Sequence, residues 1–130
     1  MGLATAHLLA SRSATLSLAD ISEQAVQSAA PSLPGTDRHI WTTVDVRSTE
    51  SVDKWIAKTA QRLGKIDGVV NMAGIIRPAC HIVEETDESF SATVSVNTMG
   101  VFRCLRAQLK AMGPGGSIVG LSSPSRLPNS

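Results

Sequence analysis

Four times along this 130-residue chain a short apolar run ends in residues that could meet a ligand. Asp20 follows the run 15–19, Asp45-Val46 closes 40–44, Asn71-Met72-Ala73-Gly74 follows 66–70, and Ser122-Ser123 follows 117–121. Asp20 lies eighteen residues after Gly2. Dinucleotide folds place an acid about 20 residues beyond a glycine loop, where it accepts hydrogen bonds from the adenosine ribose. The same Asp also suits a turn or a cap for a helix opening at Ser22. Asp45 can accept from an adenine amino group while Val46 presents its backbone, or it can simply start a helix. The small residues Ala73 and Gly74 let the backbone approach a bulky ligand, and glycine permits a sharp exit. An ordinary strand-to-loop turn has the same composition.

Elements that could position these residues alternate along the chain. The apolar runs 15–19, 40–44, 66–70 and 117–121 read as short strands. Between them, 48–63 is the clearest helix: Val52, Trp55, Ile56, Thr59, Ala60 and Leu63 recur on one face. Ser48 suits its N-cap and Gly64 its C-terminal stop. The spacing predicts further helices over 2–11, over 22–30 with Pro31 as the stop, and over 89–112 ahead of Gly113-Pro114-Gly115-Gly116. Asn97 and Gly100 are poor formers inside that last helix, so a kink or a close packing contact is expected there. Helices alternating with short apolar strands imply an α/β fold with a parallel sheet and right-handed crossovers. Ligands of such sheets sit at the carboxyl ends of the strands, where all four runs lie.

Composition narrows the classes. Apolar residues make up 42% and charged residues 18%, which marks a globular chain, and 130 residues suit one domain. With two Trp, two Phe and no Tyr, the core must be Val, Ile, Leu and Ala. A net charge of +1 with no basic stripe gives no footprint for nucleic acid. No run is long and apolar enough to span a membrane. Cys80 and Cys104 have no metal-ligand spacing and read as free thiols of a reducing, cytoplasmic setting. Gly120-Leu121-Ser122-Ser123-Pro124 loosely follows a hydrolase nucleophile elbow, but Pro124 stands where glycine is needed. Cys80-His81 is the only adjacent pair drawn from His and Cys and reads as loop or pocket wall.

Taken together, Asp20, Asp45-Val46, the Asn-Met-Ala-Gly run, Asn97 with Gly100, and Gly116 to Ser123 resemble the short-chain dehydrogenase/reductase family over essentially the whole chain. Met72 departs from the family's Asn-Asn-Ala-Gly. The resemblance implies a Rossmann-type, doubly wound parallel sheet and hydride transfer between NAD or NADP and a small-molecule carbonyl or alcohol. Ser123 would then hydrogen-bond the substrate oxygen, and Asn97 would hold the helix kink and a water of the proton relay. Asp45, Val46, Asn71, Ala73 and Gly74 would line the cofactor groove. Asp20 would favour NAD, because a carboxylate repels a 2′-phosphate. The helix 89–112 would build homo-oligomer contacts.

The resemblance also implies absences. The family's Tyr-x-x-x-Lys pair has no counterpart, since the chain has no Tyr, and of the glycine-rich opening only its last two positions remain, as Met1 and Gly2. The expected object is therefore a single partial domain over 1–130, its sheet incomplete, with the first strand and the C-terminal part missing. In the family order 3-2-1-4-5 the missing strand would leave a gap between the strands at 15–19 and 66–70. A catalytically inactive fragment or interaction protein is the alternative function.

Overall fold

The computed structural model describes residues 1–78 and 80–121. Ser122-Ser123, and with them the expected substrate-binding serine Ser123, lie outside the described residues. In chain order the elements are α1 (Gly2–Ser11), β1 (Ser17–Asp20), α2 (Glu23–Ser32), β2 (Ile40–Thr43), α3 (Thr49–Leu63), β3 (Gly68–Asn71), α4 (Asp87–Asn97), α5 (Met99–Ala111) and β4 (Ser117–Gly120). Short 3-10 turns cover Thr36–Arg38 and Ile82–Glu84.

Local chemistry accounts for most boundaries. The Ser22, Ser48 and Thr86 side chains accept from the backbone N–H three residues on, at Ala25, Ser51 and Ser89, and so start α2, α3 and α4. Gly64 ends α3 with φ 78°, a conformation that suits glycine. Two expectations need correction. Pro31 does not stop α2 ahead of itself; it lies inside the last turn, where its missing N–H costs a single bond, and the helix ends one residue later. The helix expected over 89–112 starts earlier, at Asp87, and is two helices, parted at Thr98 (φ −109°, ψ −61°). That break falls beside Asn97. Gly100 supplies the close contact, because a Cβ there would lie 2.8 Å from Val46 Cγ2.

All four strands pair in parallel, but in two separate sheets. Ser17 to Asp20 pair with Ile40 to Thr43, and Gly68 to Asn71 with Ser117 to Gly120. One face is covered by α3 and α5, whose Val52, Ile56, Cys104 and Ala107 form the main core with Val44 and Ile66. On the other face α1 contributes Ala6 and Ala10, packed with Leu33 over Leu16 and Leu18 of the first pair. The α3 helix is also tied to β1 by polar contacts: the Trp55 indole N–H donates to Ser17 Oγ at 3.0 Å, and Ser17 Oγ lies 2.7 Å from Thr59 Oγ1. His39 is buried and fully used, accepting at Nδ1 from Leu16 N–H (3.1 Å) and so donating from Nε2 to the Pro34 carbonyl (2.8 Å).

Candidate cofactor crevice at the carboxyl ends

A cavity of about 790 Å³ runs between the two strand pairs and opens at their carboxyl ends. Its lining gathers Gly2, Asp20, Asp45, Val46, Asn71, Ala73 and Gly74, seven of the positions singled out from the sequence. Met1 is not among them; it caps α1 through its carbonyl, which accepts from Thr5 N–H at 3.0 Å, and its side chain is exposed. Asn97 is outside the lining as well and acts through backbone, as described below.

Asp20 takes the turn-forming reading and keeps one oxygen unbonded. Its Oδ1 accepts from Ser22 N–H at 2.9 Å, which forms the turn into α2. Its Oδ2 has no partner among the described residues, so an acceptor remains free at the mouth of the cavity. Ile21, beside it, is exposed and lines the same mouth.

Asp45 is less free than expected. Arg47 grips it with Nε at 2.9 and 3.1 Å and Nη2 at 2.7 Å, while Arg47 N–H adds a bond of 2.9 Å to Oδ1. The Arg47 side-chain hydrogen bonds hold the Asp45 carboxyl below its ordinary range, against a smaller opposing effect of burial; Arg103 adds a weaker pull. The residue two on from Asp45 was not singled out from the sequence. The signal was present as an acid and a base two apart in the turn opening α3.

The turn after β3 is anchored twice. Asn71 exchanges two hydrogen bonds with Gln108 of α5: Nδ2 donates to Gln108 Oε1 at 2.9 Å, and Gln108 Nε2 donates back to Oδ1 at 2.7 Å. Gln108 is fully buried. Asn71 thus lines the cavity with its side-chain amide paired to α5, which positions the strand end. Asn97 does the same for the next few residues, accepting from Ile75 N–H at 2.8 Å and donating to the Ile75 carbonyl at 2.9 Å. Gly74 leaves room for it, since a Cβ there would sit 3.5 Å from Asn97 Oδ1. Gln108 was invisible as a partner, because a lone Gln on a helix carries no local signature.

Among the described residues no group of three His, Cys, Asp or Glu side chains could hold a metal ion. Exposed Cys80 donates to Glu85 Oε2 at 3.6 Å, and desolvation with the neighbouring carboxylate pushes its thiol up, away from the reactive thiolate. No helix among the described residues is long and apolar enough to cross a membrane.

Strands, helices on both faces and a cavity at the strand ends define an α/β protein of the Rossmann type. A family model described as enoyl-(acyl carrier protein) reductase matches residues 1–127. The chain belongs to the short-chain dehydrogenase/reductase family. It is 42% identical over 129 residues to a short-chain dehydrogenase/reductase of Botryotinia fuckeliana, covering 95% of this chain and 50% of the relative. A 2,3-dihydro-2,3-dihydroxybenzoate dehydrogenase of Bacillus subtilis is 36% identical over 126 residues, covering 95% and 48%. Among solved structures, levodione reductase superimposes with a TM-score of 0.87 at 33% identity, covering 92% of this chain and 48% of that one. The chain thus spans about half the length of the curated relatives it matches.

Proposed function

We propose that this chain carries the cofactor-binding part of an NAD(P)-dependent oxidoreductase acting on a small carbonyl or alcohol, and that NAD is its preferred dinucleotide. The observation behind this reading is the single cavity into which Gly2, Asp20, Asp45-Val46 and the 71–74 turn all converge. The residues fit the group. The unengaged Asp20 oxygen suits the ribose hydroxyls, and Ile21 and Val46 suit the adenine faces. The first-turn amides of α1, which helix geometry leaves without partners, suit the pyrophosphate. When bound, the nicotinamide supplies or accepts a hydride. This chain's own residues bind and orient it: Asn97 and Gln108 fix the backbone of 71–75, and Arg47 holds the Asp45 carboxylate in one orientation. Because Arg47 is engaged by Asp45, it does not offset the repulsion that Asp20 would exert on a 2′-phosphate.

Proton transfer is another matter. General acid–base catalysis contributes about 10²–10⁴-fold, and the chain has no tyrosine to supply a phenol. The 130 residues alone are expected to bind cofactor without steady turnover, in a cytoplasmic setting that suits the free thiols of Cys80 and Cys104. The test is equilibrium binding of NADH and NADPH, followed by nicotinamide fluorescence. NADH should bind more tightly, and Asp20→Ala should remove most of the difference. Equal affinities, unchanged by Asp20→Ala, would count against the assignment.

A second role has an observation of its own. Phe90, Met99, Phe102 and Leu109 of α4 and α5 are exposed, and α4 buries none of its residues. Exposed apolar area of this kind favours a homo-oligomer through these helices.

A further inference from the structure

Away from the crevice, β2 has an outer edge that no strand among the described residues pairs with. A shallow groove of about 340 Å³ runs along it, floored by Ile40–Thr43 and walled by Lys58 and Arg62 of α3. In a parallel ladder the N–H and C=O of one residue face the same neighbour, and those of the next residue face away. Ile40 and Val44 donate to the Leu16 and Asp20 carbonyls, so the peptide groups of Trp41 and Thr43 face outward. Lys58 Nζ accordingly reaches the Trp41 carbonyl from outside the pair, at 3.1 Å. The Trp41 N–H and the N–H and C=O of Thr43 have no partner among the described residues, and the buried Thr42 hydroxyl has none either. Side chains sort by alternation. Ser17 meets Trp55 and Thr59 of α3, so its register partner Ile40, and Thr42 with it, face the α3 side. Half-buried Trp41 faces the other side.

The geometry points to this edge as a docking site for an extended acidic segment of a partner protein, added to β2 as a further strand and carrying the pattern acid-apolar-acid. Three features select that occupant. The outward peptide groups recur every second residue, the repeat of an extended chain. The groove is lined by two exposed cations and no acid, and among the described residues Arg62 has no ion pair and no side-chain hydrogen bond. The spacing also matches: Lys58 and Arg62 are one helical turn apart, about 6 Å, while alternate side chains of a strand are about 6.6–6.8 Å apart. Two acids separated by one residue therefore lie on the α3 side, each under one cation, and the residue between them turns to Trp41. The incoming strand takes over the Trp41 carbonyl and gives Lys58 a carboxylate in exchange. A lysine at a sheet edge can also serve only to keep other strands away. That role would give Arg62 nothing to do, and it predicts the opposite response to loss of Lys58. No residue of Ile40–Thr43 lines the cofactor crevice, so the inference stands apart from the proposed function.

The experiment uses the full 130-residue chain and a capped, fluorescein-labelled Thr-Val-Glu-Val-Glu-Val-Thr peptide. Binding is read by fluorescence anisotropy, and the docked edge by amide hydrogen exchange. Expected are saturable one-to-one binding, weakened by salt, and new protection of the Trp41 and Thr43 amides. The same peptide with Gln for both Glu keeps the shape and loses the charge, and should bind about fivefold more weakly or worse. Lys58→Gln and Arg62→Gln, both at exposed positions, should each weaken binding about threefold. The double variant Lys58→Glu, Arg62→Glu should instead prefer a peptide with Lys at the two acidic positions, a reversal that a merely structural role would not produce. Any of four results would overturn the proposal: no saturable binding, equal binding of the Gln peptide, tighter binding after Lys58→Gln, or full protection of the Trp41 and Thr43 amides before peptide is added. The third would make Lys58 a guard of the edge, and the fourth would mean that the edge is already covered, by this chain or by a second copy.

Discussion

The face covered by α3 and α5 and the face covered by α1 and α2 are built unequally. On the first, Val44, Val52, Ile56, Ile66, Cys104 and Ala107 bury one another, with Trp55, Val69 and Met112 packed around them. On the second, the buried cluster is Ala6, Ala10 and Leu33, resting on two half-buried leucines. That cover also stops at the first strand pair: Val119 of β4 is 55% exposed and Val70 of β3 36%. Strands of parallel sheets are ordinarily buried on both faces. Val26 and Ala30 of α2 are buried on this face too, but most of its buried side chains are alanines, so strand pairing and the His39 bridge carry a larger share of its cohesion than on the other face. Cohesion between the two pairs rests on α3, which reaches β1 through Ser17 and packs on α5.

The contrast can be broken at its strong side. Ile56→Ala removes a buried side chain from the larger cluster and is expected to cost about 2–5 kcal/mol, enough to threaten the whole fold. Leu33→Ala makes a comparable deletion on the thin face. There the expected response is local: faster hydrogen exchange in α1, β1 and β2, with a smaller shift of the main urea transition. Equal loss of global stability from both variants, with exchange accelerated uniformly, would show that the two faces unfold as one unit.

A middle-sized effect is expected at the Asn71–Gln108 pair, which belongs to the strong face. Gln108→Leu leaves the Asn71 amide without its partner and should cost about 1–3 kcal/mol. Adding Asn71→Leu should recover part of that loss, because removing both partners leaves no orphaned polar group. A double variant as unstable as the sum of the two singles would mean that the pair does not act as a pair.

What the sequence disclosed follows the same division. Strands, caps and the α3 face were legible because they rest on local periodicity and on single residues such as Ser48 and Gly64. The convergence of Asp20, Asp45 and the 71–74 turn was legible because parallel sheets bring strand ends together. The bonding state of those residues was not. Arg47 capturing Asp45, Gln108 consuming Asn71, and Asn97 bonding Ile75 rather than facing the cavity are set by tertiary placement, to which spacing is blind. Pro31 misled for a related reason: its cost at a helix end is one hydrogen bond, too little to enforce a stop before it.

The smallest expected effect tests the mouth of the crevice, where Asp45 and Arg47 sit partly exposed. The Asp45 carboxyl titrates below its unfolded value, chiefly through the Arg47 side-chain bonds. A group depressed on folding stabilises the fold above its unfolded pKa, near 3.9, and loses that contribution as pH falls through its folded pKa. Arg47 stays charged throughout, so the carboxylate alone sets the window. For an exposed pair the gap between wild type and Arg47→Ala at pH 7 should be small, on the order of 0.1–0.5 M in the urea midpoint. Glu50, held down by Lys54, and Glu85, held down chiefly by Ser89, titrate in the same range but are untouched by this substitution, so they cancel in the difference. The gap should stay level from pH 7 to about 5, then close below pH 4 as Asp45 takes up its proton. It should also shrink in high salt. A gap that persists unchanged at pH 2 would assign the effect to Arg47 packing rather than to its charge, and would remove the electrostatic reason for Asp45 to hold one orientation at the crevice.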